Sequence, residues 1–407
     1  VTVTDAARES VESALEQSST PSFSHLNPPP SYDLGDHPAP TGREEIWRFT
    51  PLKRLRGLLD GEASETQLTW DASLPEGLQL QEISKDEARE LGELAPNDRP
   101  SALAVDRAVR TVLLDVPAER ELDEPVVLRL SGESVDDLVY GHLVLRVGAF
   151  AKVTVVLEHT GSARYAATTS VLVGDGAQVD VVSLQDWDDD AVHLGRDAIR
   201  VGRDARVKHT SISFGGDVVR MHANVEYAAP GGEAELLGLY FADAGQHLEH
   251  RLFADHNQPR TKSNVVYKGA LQGQGAHTVW IGNVLIRKVA EGIETYEENR
   301  NLVLTDGCQA DSVPNLEIET GEIEGAGHAS ATARFDDEQL FYLRSRGVSD
   351  EEARRLVLHG FFQDLIRKVG VPSLEERLTR TVEAELAKNV RAGLEPVGTG
   401  GTPGGTA

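Results

Sequence analysis

A short signature recurs along the middle of the chain and limits its fold class more than any other feature. Gly-x-x-Ala-x-Val, preceded by an apolar residue, occurs at Gly148…Ala151…Val153, at Gly174…Ala177…Val179 and at Gly202…Ala205…Val207. A looser copy is Gly231…Ala234…Leu236, and degenerate copies are Gly273…Ala276…Thr278 and Gly307…Ala310…Ser312. The glycines are spaced by 26, 28, 29, 42 and 34 residues. Glycine tolerates the positive φ of a tight corner. Alanine is small enough to point inward beside that corner, and the alternating β-branched run that follows buries every second side chain. One such unit cannot cover its own apolar face, whereas a stack of them can. The reading is a mainly β chain with a right-handed parallel β-helix, or solenoid, over residues 103–335. A β-sandwich with recurrent glycine turns is the alternative. Sandwich turns fall every 8–12 residues or about that, and they repeat no six-residue signature.

The flanks read as helical. Residues 1–102 form an N-terminal region with weak helical patterning over 4–17 and a Pro- and Ser-rich arm over 18–42. Thr50-Pro51 then resembles an N-cap with proline at the first helical position, predicting a helix to Asp60 stopped by Gly61. Residues 336–396 form a C-terminal helical domain with three capping boxes in series, at Asp336-x-x-Gln339, Ser349-x-x-Glu352 and Ser373-x-x-Glu376. The second predicted helix carries Ala353, Leu356, Val357, Gly360, Phe361, Leu365 and Val369 on one face and ends at Gly370. The third repeats Leu374, Leu378, Val382, Leu386 and Val390 every four residues. Residues 397–407 are nearly all Gly, Thr and Pro and are expected to be disordered.

Composition narrows function by exclusion. Aromatics make up 5% of the chain, so the core rests on Val, Leu, Ile and Ala. A net charge of −26 repels phosphate backbones and anionic membranes, so neither nucleic acid nor membrane is an expected partner. Cys308 is the single cysteine. It forms no intramolecular disulfide, which fits a cytoplasmic location. One thiol cannot build a cysteine-only cluster or zinc site, so a metal site must use His and carboxylates or borrow a partner's ligands. The sequence starts Val1-Thr2-Val3 without a basic segment before an apolar run, and no stretch of 18 apolar residues occurs; secretion and membrane spanning are not expected.

Common catalytic signatures are missing. No Gly-x-x-x-x-Gly-Lys-Ser/Thr loop is present, so no ATP site is expected in this chain, and Gly273-x-Gly275 lacks the third glycine of a dinucleotide fingerprint. His-Glu-x-x-His and Gly-x-Ser-x-Gly do not occur. Polar residues concentrate in 250–261, 296–304 and 310–320. Glu317 and Glu319, two apart, share one face of a strand. They read either as a carboxylate pair for acid–base or cation chemistry or as the solvated outer face of a coil. His328 lies among small residues in Glu324-Gly325-Ala326-Gly327-His328-Ala329-Ser330, where the solenoid gives way to helices. Imidazole there is an accessible iron or zinc ligand or an ordinary structural histidine. Cys308, at a corner of the last repeat, reads as core packing or as a thiolate.

Several longer motifs resemble the SufB/SufD family. They are His256-x-x-Pro259-x-Thr261-x-Ser263…Tyr267-Lys268-Gly269, Glu298-Asn299-Arg300-Asn301-Leu302, and Ala310-Asp311…Pro314-x-Leu316-Glu317-Ile318. His328-Ala329…Arg334-x-Asp336-x-Glu338…Phe341-Tyr342-Leu343-x-Ser345-Arg346-Gly347 completes the series, so the match covers about 240–365 and extends weakly back to about 110. Within the family the length, the Trp47-Arg48-Phe49-Thr50-Pro51-Leu52 segment, and the lack of a sulfur-receiving cysteine before the helical domain resemble the SufD branch. The resemblance implies a scaffold subunit, not an enzyme, that pairs with a SufB-like subunit and docks a SufC-like ATPase. A transient iron–sulfur cluster forms at the SufB–SufD interface. It implies that His328 is the cluster-assembly or iron ligand, opposite a SufB cysteine. Relatives with a cysteine two residues before that histidine differ from this chain, which has Ala326 there. Glu317 and Glu319 are candidates for iron uptake, as hard oxygen donors. Leu356, Phe361, Phe362 and Leu365 are candidates for SufC docking. The family complex is also associated with reduced flavin (FADH2), for which no motif is visible here.

Two other readings stand beside it. A homodimeric scaffold could store or transfer clusters without SufB. A β-helix enzyme acting on polysaccharides would also use parallel coils with acidic grooves, but it is usually secreted, and aromatic sugar platforms are scarce here. A dimer, homo or hetero, is expected, because open strand edges invite pairing.

Overall fold

The computed structural model describes residues 27–335 and 337–392. The helical patterning of 4–17, the capping box at Asp336 and the 397–407 tail lie outside the described residues. Strand β1 is Thr69–Ser73, β2 Leu80–Ile83, β3 Thr111–Val116, β4 Val126–Val147 and β5 Lys152–Val173. Ten- and nine-residue strands follow: β6 Gln178–Trp187, β7 Val192–Val201, β8 Arg206–Phe214, β9 Val218–Tyr227 and β10 Glu233–Ala242. The last six are β11 His247–His256, β12 Lys262–Leu271, β13 His277–Ile286, β14 Glu294–Val303, β15 Gln309–Ile318 and β16 Gly325–Arg334. Helices are α1 Lys85–Glu90, α2 Arg99–Arg107, α3 Asp337–Ser345, α4 Asp350–Lys368 and α5 Pro372–Ala392.

These strands wind a parallel β-solenoid of about eight turns. The long β5 pairs through its first half with β6 and through its second half with β7. From there two parallel ladders diverge, β6-β8-β10-β12-β14-β16 and β7-β9-β11-β13-β15. Gln178, Arg206, Glu233, Lys262, Glu294 and Gly325 are register partners in succession. One coil therefore takes 28, 27, 29, 32 and 31 residues, and the 42-residue gap between glycines is not a coil. Its cause is a change of corner. Gly148, Gly174 and Gly202 precede strands of the first ladder, whereas Gly273 and Gly307 precede β13 and β15 of the second. The Gly231 copy is displaced as well, because Ala234 registers with Val207 and not with Ala205.

The first three glycines also act differently from expectation. At Gly148, Gly174 and Gly202 positive φ falls two residues further on, at Phe150 (58°), Gly176 (66°) and Asp204 (49°), whereas Gly231, Gly273 and Gly307 themselves take the expected positive φ (82°, 83° and 81°). Gly174 itself is required by stacking, since a Cβ there would lie 2.6 Å from the Ala149 amide nitrogen of the coil before it. Inside the coils Val, Leu, Ala and a few aromatics make one continuous core that includes Val153, Val155, Val179, Val181, Val207 and Leu236.

Both outer faces are covered in part. The N-terminal region lies on the second ladder, where Arg220 reaches Asp98 at 3.1 Å and Glu249 at 3.3 Å and stacks 4.3 Å from the Trp47 ring. The expected helix after Thr50 does not form. Thr50 Oγ1 donates to Glu249 Oε2 at 2.7 Å instead of capping, and Leu52–Leu55 is a short 3-10 turn ended by Arg56 at φ 50°. Helices α4 and α5 cover the first ladder, burying Leu358, Phe362, Ile366, Leu374, Leu378, Val382 and Leu386 against Val182, Leu184, Ile212 and Phe241. Ser349 caps α4 by accepting from the Glu352 amide, as expected. Ser373 caps nothing: α5 starts at Pro372, whose missing N–H costs little in a first turn. No described helix is long and apolar enough to cross a membrane.

Phe362 has no exposure. Phe362→Ala should therefore cost about 3–5 kcal/mol, read as a fall in denaturant midpoint. Leu356→Ala, at 49% exposure, should change stability by less than about 0.5 kcal/mol.

Candidate functional site

The solenoid has an open end. Among the described residues strand β15 pairs only with β13, and β16 only with β14. All residues of both are half-buried or exposed, in contrast to the fully buried β11. The inward column changes chemistry towards this end. In the earlier coils of the first ladder it mixes Val and Leu with buried Ser183, Gln185, His209, Ser211 and Ser213, and on β14 it is wholly polar: Thr295, Glu297, Asn299 and Asn301 are buried and register with Ala326, His328, Ser330 and Thr332 on β16. Asn301 Nδ2 donates to Asn299 Oδ1 at 2.8 Å, Asn299 Nδ2 donates to the Tyr240 hydroxyl at 2.8 Å, and Tyr240 donates to Asn301 Oδ1 at 2.8 Å. That closed ring of bonds holds the floor of the open end rigid.

Glu297 does not join it. Its side chain is 1% exposed, and neither carboxylate oxygen has a side-chain hydrogen-bond partner. Burial pushes its pKa up to about 8, against the opposing pull of a hydrogen bond from the Asn315 backbone. A carboxyl in such a place stays protonated near neutrality, because an isolated buried charge is costly. The one titratable neighbour in an ion-pair geometry is His328, whose Nδ1 lies 3.9 Å from Glu297 Oε1. The His328 side chain is 43% exposed. On the facing ladder, Trp280 and Gly282 register with Ser312 and Pro314, and Trp280 Nε1 and Ser312 Oγ also lack partners. Among the described residues no three His, Cys, Asp or Glu side chains group as a metal site.

The other sequence-derived candidates sit elsewhere. Glu317 and Glu319 occupy the alternate positions to Ser312, Pro314 and Leu316 and so face outward. Glu319 Oε2 accepts from the Lys288 amide at 3.1 Å, beside the Asp255–Arg287 ion pair at 2.6 Å. The strand wall separates them from His328. Phe362 and Leu365, at 0% and 3% exposure, pack inward and offer no surface to a partner. Phe361 is half-buried under the Lys268 ammonium, 5.3 Å from its ring, and Lys268 also donates to Asp364 at 2.7 Å. Leu356 is exposed, as are Phe341 (73%) and Tyr342 (58%). Cys308 is half-buried, with Sγ 3.3 Å from the Gly273 carbonyl. His256 is fully buried and bonds Thr261 at 2.7 Å and Ser263 at 2.9 Å, so that motif braces a corner.

Glu297 was not singled out by its spacing. Its signal is the alternation Thr295-x-Glu297-x-Asn299-x-Asn301, which reads equally as the wet face of an edge strand until the register is known.

The description "SUF system FeS cluster assembly, SufBD core domain" fits residues 129–361, more than half of the chain. The chain belongs to the SufBD family. The iron-sulfur cluster assembly SufBD family protein Mb1497 of Mycobacterium bovis is 52% identical over 88% of this chain and 91% of its own length. The SufBD family protein ML0594 of Mycobacterium leprae is 50% identical over 88% of this chain and 93% of its own length. A second M. bovis SufBD family protein, Mb1496, is 26% identical over 66% of this chain and 31% of its own length. These SufBD relatives are named for iron–sulfur cluster assembly, and the family description covers the solenoid from β4 to its open end together with α3 and part of α4.

Proposed function

We propose that this chain is a SufD-like scaffold subunit of a SufB–SufC–SufD complex. Its open solenoid end supplies half of a site where an iron–sulfur cluster forms, and a SufB-like subunit supplies the other half. The observation that carries this reading is the pairing of solvent-accessible His328 with buried Glu297, which has no side-chain hydrogen bond, on a coil that none of the described residues closes. Two ligands do not hold a cluster, so the rest come from outside. The matches at 52% and 26% to two SufBD proteins of one organism support a system built from two unlike family members.

Iron and sulfide are the cargo here. His328 donates an imidazole lone pair to iron, and a SufB-like cysteine supplies thiolate. An ATPase partner docks on the exposed side of the C-terminal helices, where Phe341, Tyr342 and Leu356 are uncovered. Its cycle shifts those helices and opens the subunit seam. Glu317 and Glu319, on the outer wall, serve at most as a place where iron first collects.

Anaerobic copurification from the native cell tests the proposal. The expected result is a complex that contains one SufB-like chain and an ATPase. Recovery of this chain alone, as a monomer or a homodimer, overturns the heteromeric reading.

A further inference from the structure

We propose that Glu297 and His328 form a two-ligand half-site for a divalent first-row metal ion on this chain, with Glu297 as an interior oxygen ligand. The inference deepens the scaffold reading and rests on it only for naming iron as the physiological ion.

Four observations converge. The Glu297 carboxylate is 1% exposed and neither oxygen has a side-chain partner; the Asn315 backbone is the one hydrogen-bonding group set against it, which leaves a buried carboxylate under-satisfied. It registers directly with His328 across β14 and β16. On its other side lies glycine: a Cβ on Gly282 would fall 2.2 Å from Glu297 Oε2, so any larger residue there would displace the carboxylate. The 3.9 Å between Nδ1 and Oε1 exceeds the separation set by two bonds of about 2.1 Å to one ion, which is about 3.0–3.4 Å. Rotation of the half-exposed imidazole closes that gap. Mixed nitrogen and oxygen ligation suits Fe(II), Co(II) and Zn(II). With two protein ligands the ion keeps open positions, as an ion in transit to a shared site requires. A bound cation also removes the cost of the buried carboxylate, whose negative charge then has a partner. Glu297 gives up its proton to solvent as the metal–oxygen bond forms, and no electron moves.

The test is an anaerobic titration of the purified full chain, without partners, with Co(II) followed by its visible absorption, then displacement by Fe(II). The expected result is one tight equivalent whose dissociation constant rises at least tenfold in Glu297→Gln and in His328→Gln. Glu322→Gln, which removes an exposed carboxylate at the same end, should bind as wild type and reports on adventitious binding to the acidic surface. Circular dichroism confirms the fold of each variant; His328 is exposed enough to be replaced without unfolding the chain, so its variant decides the matter should Glu297→Gln misfold. Wild-type Co(II) affinity in either folded variant, or no tight equivalent in the wild type, overturns the inference. Copurification scores the scaffold reading separately, because it needs no metal.

Discussion

Acidification from pH 7 to pH 4 is expected to remove on the order of 6 kcal/mol of the chain's folding stability. Burial lowers the pKa of six histidines, His159, His193, His222, His247, His250 and His256, and three that make no hydrogen bond to a carboxylate set this lower bound. Burial pushes His159 and His256 down to about 4 and His250 to about 3. All three are at most 7% exposed, and His250 sits stacked on Tyr240 with its Nε2 bonded to Ser213. Their folded pKa values lie below the ordinary value of 6.5, so the unfolded chain takes up protons first. Their stabilisation is complete above pH 6.5 and is lost as pH falls towards 4. At pH 4 each loses about 3 kcal/mol.

Glu297 acts with the opposite sign. Its folded pKa is raised, so its penalty is present above pH 8 and disappears as pH falls towards 4.5; it offsets about 3 kcal/mol of the loss. Asp98 and Glu249 add to the loss at the acid end. Burial alone would raise their pKa values, but His222 with Arg220, and His247 with Arg220 and Arg251, hold them well below the carboxylate range. A domain of ordinary stability, about 5–15 kcal/mol, would then be at the edge of unfolding. Urea midpoints at pH 7, 6, 5 and 4 check this: a flat limb to pH 6.5 and a steep fall below it are expected, and equal midpoints at pH 7 and pH 4 contradict the assignment.

His328→Ala in the complete complex is expected to reduce cluster formation at least tenfold while leaving the chain folded and bound to its partners. The side chain is half-exposed and makes no hydrogen bond of ordinary geometry, so its removal should change stability by less than about 0.5 kcal/mol. On the proposed role the loss is chemical: the imidazole offered to iron disappears, and Glu297 loses its one neighbour in ion-pair distance. Cluster yield from the visible spectrum, together with iron and sulfide content, measures the effect. Full yield in the variant removes His328 from the mechanism.

The solenoid was legible in the sequence because its spacing is a direct consequence of coil length. Gly148, Gly174 and Gly202 mark one corner at nearly the true repeat. The later copies were misassigned because two corners of a flattened coil use similar residues, and only register distinguishes them. Helix α4 shows the same difficulty. Leu356, Val357, Leu358, Phe361 and Phe362 are apolar on nearly every side, so its period does not fix the face. The sequence reading grouped Leu356 with the buried side; the fold buries Leu358, Phe362 and Ile366 and leaves Leu356 outside. His328 stood out through its small neighbours and its family motif. Glu297 did not, since its partner lies 31 residues away and its missing hydrogen bonds exist only once β16 is laid on β14. Thr50 failed as a cap for a comparable reason: Glu249, 199 residues distant, competes for its hydroxyl.

Hydrogen–deuterium exchange of this chain, free and in complex with the proposed SufB-like partner, addresses most directly whether the open coil is the shared seam. The last coil now leaves the outer edges of β15 and β16 unpaired. Slowed exchange over 309–318 and 325–334 on complex formation is predicted, with 178–187 unchanged. Unaltered exchange in both terminal strands, with protection appearing elsewhere, would contradict a cluster site completed at this end.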